Sequence, residues 1–136
     1  MSPDANEHPD GEVLIVEDEP ATRMNAAELL ESEGYSVIEA ADAETALRLL
    51  KERPEIRVLF SDIHLAGNMT GLDLAESVTA RWPDVMLLIT TGDATLNPDQ
   101  APPGAAWIDK PYEEQQLLER VRSLFRLAVA TVRPTL

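Results

Sequence analysis

Five short runs rich in apolar residues punctuate the chain: Val13-Leu14-Ile15-Val16, Tyr35-Ser36-Val37-Ile38, Val58-Leu59-Phe60-Ser61, Met86-Leu87-Leu88-Ile89 and Ala106-Trp107-Ile108. Each is too short for a helix and is bounded by turn-forming residues, the pattern of strands in a buried parallel sheet. Between them the spacing becomes helical. Pro20 opens the first helical stretch, where its fixed φ suits a first turn, and Met24, Ala27 and Leu30 with Ala26 and Leu29 form the stripe. Gly34 is its stop signal. Asp42 is the expected N-cap of a second helix carrying Ala43, Ala46, Leu47 and Leu50, which Pro54 ends. Thr70 and Asp73 stand at capping-box spacing before a third helix, with Leu72, Ala75 and Val78 inward, reaching Arg81. A last amphipathic helix spans Tyr112 to Leu127, with Leu117, Leu118, Val121, Leu124 and Phe125 inward.

The stretch from Asp93 to Ala105 breaks this rhythm. Pro98, Pro102, Pro103 and Gly104 leave room for at most a short helix around Ala94 to Asn97. Strands alternating with helices predict an α/β domain over residues 12–127, a parallel sheet covered on both faces. Residues 1–11 are polar and aperiodic and read as a flexible leader, and residues 128–136 as a C-terminal extension. The apolar stretch Leu124 to Val132, where exposed, would offer a homodimer surface.

Composition then narrows the function. A chain of 136 residues with 44% hydrophobic residues suits one domain with a sizeable core. A net charge of −14 disfavours nucleic acid, which calls for a basic face, and anionic membranes. No run approaches membrane-spanning length, and the first residues lack the basic-then-apolar form of an export signal, so the expectation is a cytoplasmic protein without membrane contact. There is no cysteine, which excludes disulfides, thiol catalysis and cysteine metal sites. With His8 in the polar leader, a Ser-His-Asp triad or a zinc centre would rest on His64 alone.

The candidate chemistry collects where the strands end. Glu17 and Asp18 follow the first, Asp62 the third, Thr91 the fourth and Lys110 the fifth. In a parallel sheet those ends share one edge, the edge at which open α/β sheets bind ligands. Singly, each residue is as well explained by a turn or cap. Together they are a different matter. Clustered carboxylates repel one another unless a cation compensates, and oxygen-only donors favour Mg²⁺ over zinc or copper. Lys110, one of two lysines in the chain, adds positive charge, and Thr91 adds a hydroxyl. Such a set suits a phosphoryl group, with one carboxylate as nucleophile, and Asp62 at the end of the central strand is the best placed.

Leu14-Ile15-Val16-Glu17-Asp18-Glu19, Ser61-Asp62, Thr91-Gly92 and Lys110-Pro111, in this order, resemble the signature of bacterial response-regulator receiver domains over roughly Glu12 to Leu127. The resemblance implies a doubly wound, flavodoxin- or CheY-like five-stranded parallel sheet of order 2-1-3-4-5, here with a shortened or irregular fourth helix. It implies that Asp62 accepts a phosphoryl group from a histidine kinase or histidine phosphotransfer protein. Asp18, Asp62 and the backbone carbonyl of His64, with Glu17 through water, would hold Mg²⁺. Lys110 would pair with the phosphoryl oxygens, Thr91 would hydrogen-bond one of them, and Trp107 would be an aromatic switch coupled to Thr91. His64 and Asp93, two positions past Asp62 and Thr91, would tune dephosphorylation. The Lys110-Pro111 bond is a candidate cis peptide.

The chain departs from the family pattern in lacking a proline at Leu65-Ala66, in a longer loop from Ile63 to Gly71, and in the proline-rich segment after Thr91. Three functions compete: a phosphoacceptor receiver without conventional enzymatic activity, a phosphorylation-independent docking or dimerisation module on the same fold, and a phosphatase with an aspartate nucleophile. The complete acid, threonine and lysine set argues for the first. The third calls for a second acid where His64 stands.

Overall fold

The computed structural model describes residues 11–132, with side chains as far as Ala128. Strands β1 (Glu12–Val16), β2 (Ser36–Ala40), β3 (Ile56–Asp62), β4 (Met86–Thr91) and β5 (Ala106–Asp109) form one sheet in the order β2-β1-β3-β4-β5. Every pairing is parallel. Helices α1 (Pro20–Ser32), α2 (Ala43–Glu52), α3 (Gly71–Arg81) and α4 (Glu114–Val132) cover it. This is the doubly wound α/β fold with the expected strand order.

Strand alternation sends neighbouring side chains to opposite faces and so builds two cores. Val13, Ile15, Phe60 and Leu88 pack with Ala27 and Leu30 of α1 and Leu117 and Val121 of α4. Leu14, Val16, Leu59 and Ile89 pack with Ala46 and Leu50 of α2 and Leu74 and Val78 of α3. Local signals fix where the helices begin. Asp42 accepts a hydrogen bond from the Thr45 N–H at 2.7 Å, Thr70 and Asp73 close a reciprocal capping box, and Pro20 occupies the first turn of α1 behind a Glu19 cap. Gly34 takes a positive φ of 92° just past α1, a conformation cheap only for glycine.

Several expectations need correction. Met24 is 50% exposed, because α1 buries only the narrower stripe of Ala26, Ala27 and Leu30. Leu74, and not Leu72, is the large fully buried side chain of α3. The segment after Thr91 stays within the expected limit of at most a short helix: a single 3₁₀ turn spans Pro98–Gln100, with Pro98 at its start and Asn97 and Gln100 capping each other. The last helix starts at Glu114, since Tyr112 turns in against Phe60. Leu124, Phe125 and Ala128 face the core, and among the described side chains of the segment offered as a dimer surface Leu127 is the exposed large apolar one. The leader, apart from Gly11, and residues 133–136 of the extension lie outside the described residues. Among the described residues no helix is long and apolar enough to cross a membrane.

Candidate functional site

Strands β1 and β3 lie side by side at the centre of the sheet while their following helices cover opposite faces. The crevice between their carboxyl ends is the topological switch point of the fold. Glu17 follows β1 directly and Asp62 ends β3, and both side chains are buried. Lys110, just past β5, reaches between them: its Nζ lies 2.5 Å from Asp62 Oδ2 and 3.1 Å from Glu17 Oε1. The lysine's own N–H donates to the Thr91 carbonyl, which ties it to the end of β4, and the Lys110-Pro111 peptide bond that follows is cis.

Each carboxylate has further support. Asp62 Oδ1 accepts the His64 N–H at 3.0 Å, and Glu17 Oε2 accepts the Glu19 N–H at 3.0 Å. Arg23 of α1 donates to the Glu17 carbonyl. Burial raises the Glu17 carboxyl above its ordinary range, and the Glu19 N–H and Lys110 offset this only in part. Burial works to lower the Lys110 ammonium, but Asp62 and Glu17 outweigh it and hold the group above its usual value. The site is therefore an ammonium clamped between two carboxylates, one of which remains under-compensated.

Close packing beneath Asp62 fixes its backbone. Gly71, the first residue of α3, donates its N–H to the Ile63 carbonyl, and Ile63 donates to the Thr90 carbonyl. A Cβ at Gly71 would lie 1.9 Å from the Asp62 carbonyl oxygen, so only glycine admits this approach.

The other predicted residues fall around this clamp. Thr91 is buried, its Oγ1 accepts the Asp93 N–H, and it lines with Lys110 an open cavity of about 330 Å³. His64 Nε2 lies 3.3 Å from Asp93 Oδ2, so the loops after β3 and β4 are joined through the two candidate tuning residues. Asp18 is exposed and pairs with no side chain among the described residues. Trp107 stands two residues before Asp109, the register partner of Thr91: its Nε1 donates to the Asp109 carboxylate, and its carbonyl accepts from Arg120.

Two residues escaped the sequence. Thr90 is the register partner of Asp62, is 3% exposed, and its Oγ1 has no hydrogen-bond partner among the described residues. Tyr112 packs edge-on to Phe60, as expected of a packing residue, but with Thr90, Glu17 and Asp62 it also lines a small cavity behind the clamp. Parity was the available signal for Thr90, since it stands two residues after Leu88 and shares its face of the sheet.

Glu17, Asp18, Asp62 and the His64 carbonyl are all oxygen donors. The raised Glu17 carboxyl indicates that burial outweighs what Lys110 supplies, so the donor set suits a hard divalent cation such as Mg²⁺. Among the described residues no three acidic or histidine side chains are already gathered around one ion-sized point, Asp18 standing apart in solvent.

A doubly wound sheet with acids at its switch point and an edge-strand lysine closing on them defines a class of α/β protein built for anionic chemistry at one sheet edge. The chain belongs to the response regulator receiver domain family, whose model matches residues 13–122. It is thereby a component of two-component signalling. It is 31% identical over 115 residues to the response regulator receiver protein CpdR of Brucella abortus, covering 82% of this chain and 94% of that protein. It is similar to the sensor kinase CckA of the same organism, 32% identical over 82% of this chain and 12% of the kinase. It is also similar to the nitrogen assimilation regulatory protein NtrX of Azorhizobium caulinodans, 34% identical over 85% of this chain and 27% of that protein. The chain thus spans about an eighth of the sensor kinase and about a quarter of NtrX. A CheY-like receiver domain protein from Methanospirillum hungatei superposes with a TM-score of 0.79 at 28% identity, over 89% of this chain and 98% of that one.

Proposed function

We propose that this chain is a phosphoacceptor of a two-component phosphorelay and that Asp62 receives the phosphoryl group. The observation that carries the reading is the Lys110 ammonium held between Glu17 and Asp62 at the switch point of a receiver fold. A carboxylate oxygen of Asp62 attacks the phosphorus of a phosphohistidine on a partner kinase or phosphotransfer protein. The P–N bond breaks as the P–O bond forms, and the electron pair stays on the imidazole nitrogen. Lys110, already beside the nucleophile, meets the negative charge that spreads over the phosphoryl oxygens. The Thr91 hydroxyl, now accepting from Asp93, turns to donate to one of them.

Glu17, Asp18, Asp62 and the His64 carbonyl would hold Mg²⁺, which supplies charge neutralisation to the phosphoryl oxygens. His64 and Asp93 border the path of the hydrolytic water and set the lifetime of the acyl phosphate. Trp107 would follow Thr91 only after its bond to Asp109 is released. The reading makes the protein a cytoplasmic relay domain and not a conventional enzyme, extending over about residues 12–127.

The test is intact mass after incubation with Mg²⁺ and acetyl phosphate, and separately with a histidine kinase, each with and without chelator. One phosphoryl group should be gained, lost with chelator, and absent in Asp62→Asn. An Asp62→Asn chain that still formed an acyl phosphate would overturn the assignment. Failure of both donors would favour the docking module.

A further inference from the structure

We propose that the opposite end of the sheet carries a second binding site, for a small anion with a planar body, the chemistry of a mononucleotide. The site lies where α2 runs into β3 and α3 into β4, at the amino ends of the strands and remote from Asp62. A cavity of about 310 Å³ opens there, at the lower end of the range of small-ligand pockets. Lys51, Arg53, Arg57 and Arg81 line it, four of the eleven lysines and arginines in a chain of net charge −14, against the single lining acid Asp84. Such a concentration of cations calls for a cause.

Local charges account for part of it. The carboxyl ends of α2 and α3 each present roughly half a negative charge, and Lys51 and Arg81 sit in their last turns. Arg53 is engaged by Glu12 through two hydrogen bonds, with Glu52 and Glu55 acting on it from nearby. Arg57 is left over. Its Nη1 donates to the Pro54 and Ile56 carbonyls, its Nε is buried without an acceptor, and its guanidinium faces no carboxylate partner among the described residues. The acceptors among the described residues therefore do not saturate the cations of this cavity.

The remaining lining is flat and apolar. Trp82 is half-buried with the Arg81 guanidinium 4.5 Å above its ring, and Leu50, Ile56 and Val85 form the floor. The planar Arg81 guanidinium, stacked on Trp82, suits a ligand with a planar ring to lie against it and an oxyanion to pair with the neighbouring cations. Inorganic phosphate alone would use only the cations, and a nucleoside only the stacked plane.

The experiment is a titration of the ¹⁵N-labelled full chain, followed by amide and indole shifts, with AMP, adenosine and inorganic phosphate at low salt. AMP should move the signals of Lys51, Arg57 and the Trp82 indole together, and rising salt should weaken it. It should bind about tenfold or more tighter than either fragment, and the Lys51→Ala, Arg81→Ala double variant should weaken it by a similar factor. The same spectra report Thr91 and Lys110, so anion binding at the acid–lysine site is seen separately, and failure here leaves the phosphoacceptor reading untouched. No shift at these residues by about 10 mM AMP would overturn the proposal. So would equal affinity for AMP and phosphate, or indifference to the double variant.

Discussion

Gly71→Ala puts the packing beneath Asp62 under direct test. The added methyl would lie 1.9 Å from the Asp62 carbonyl oxygen, 2.7 Å from Ile63 Cα and 2.8 Å from the Asp62 carbonyl carbon. All three are backbone atoms, so no side chain can rotate away. Reaching ordinary contact at 3.4 Å requires the start of α3 and the end of β3 to part by about 1.5 Å. That parting breaks the Gly71 to Ile63 hydrogen bond, worth about 1 kcal/mol. Overpacking adds about 1–3 kcal/mol. Alanine's advantage over glycine within a helix returns somewhat under 1 kcal/mol. The net expectation is a loss of roughly 2 kcal/mol out of the 5–15 typical of a domain. Urea unfolding followed by circular dichroism measures it, and the midpoint should fall at unchanged slope. A variant within about 0.5 kcal/mol of the parent would refute the reasoning, because the helix start would then have absorbed the methyl without strain.

Two smaller changes test other parts of the account. Asp42→Ala removes the cap of α2 and should cost about 1 kcal/mol at neutral pH. The bond from the Thr45 N–H holds the Asp42 carboxyl below its ordinary 3.8, so its contribution is complete above that pH and is lost as pH falls through the lowered folded value. Unfolding curves of parent and variant should converge in acid, and a constant gap would mean that the effect is not electrostatic. Thr90→Val replaces a buried hydroxyl without a partner among the described residues with a methyl of similar size and should stabilise the fold by about 1 kcal/mol. Destabilisation in a thermal melt would show that the hydroxyl does have a partner, in the small cavity it shares with Tyr112.

The strands and the position of the acids, Thr91 and Lys110 at one edge were legible because period and punctuation are local signals, whereas the strand order came only with the resemblance to receiver domains. Asp42, Thr70 and Asp73 could be placed from spacing alone, since a cap involves only residues within one turn. What could not be read depends on contacts distant in sequence. The contact of Glu17 with Lys110 is one such case; it joins residues 93 apart and depends on how far a lysine extends across the sheet edge. Met24 fits a helical stripe as well as Leu30 does, and its exposure follows from how α1 is rotated against the sheet. Trp107 stands at the right register, but its indole orientation is decided by Asp109, a residue with no feature to mark it in advance.

The connection between β4 and β5 is held by isolated local bonds: Leu96 to Asp93, Ala101 to Pro98, Ala105 to Pro102, and the mutual cap of Asn97 and Gln100. None belongs to a cooperative ladder, so each can open without its neighbours. A helix in this place would resist bending as a rod and would move only as a whole. Here the segment has no such stiffness, and its amides should exchange with solvent far faster than those of the sheet beside it. A rearrangement at Thr91 or Asp93 thus enters a stretch that yields residue by residue, and its mechanical effect fades within a few peptide units of the site.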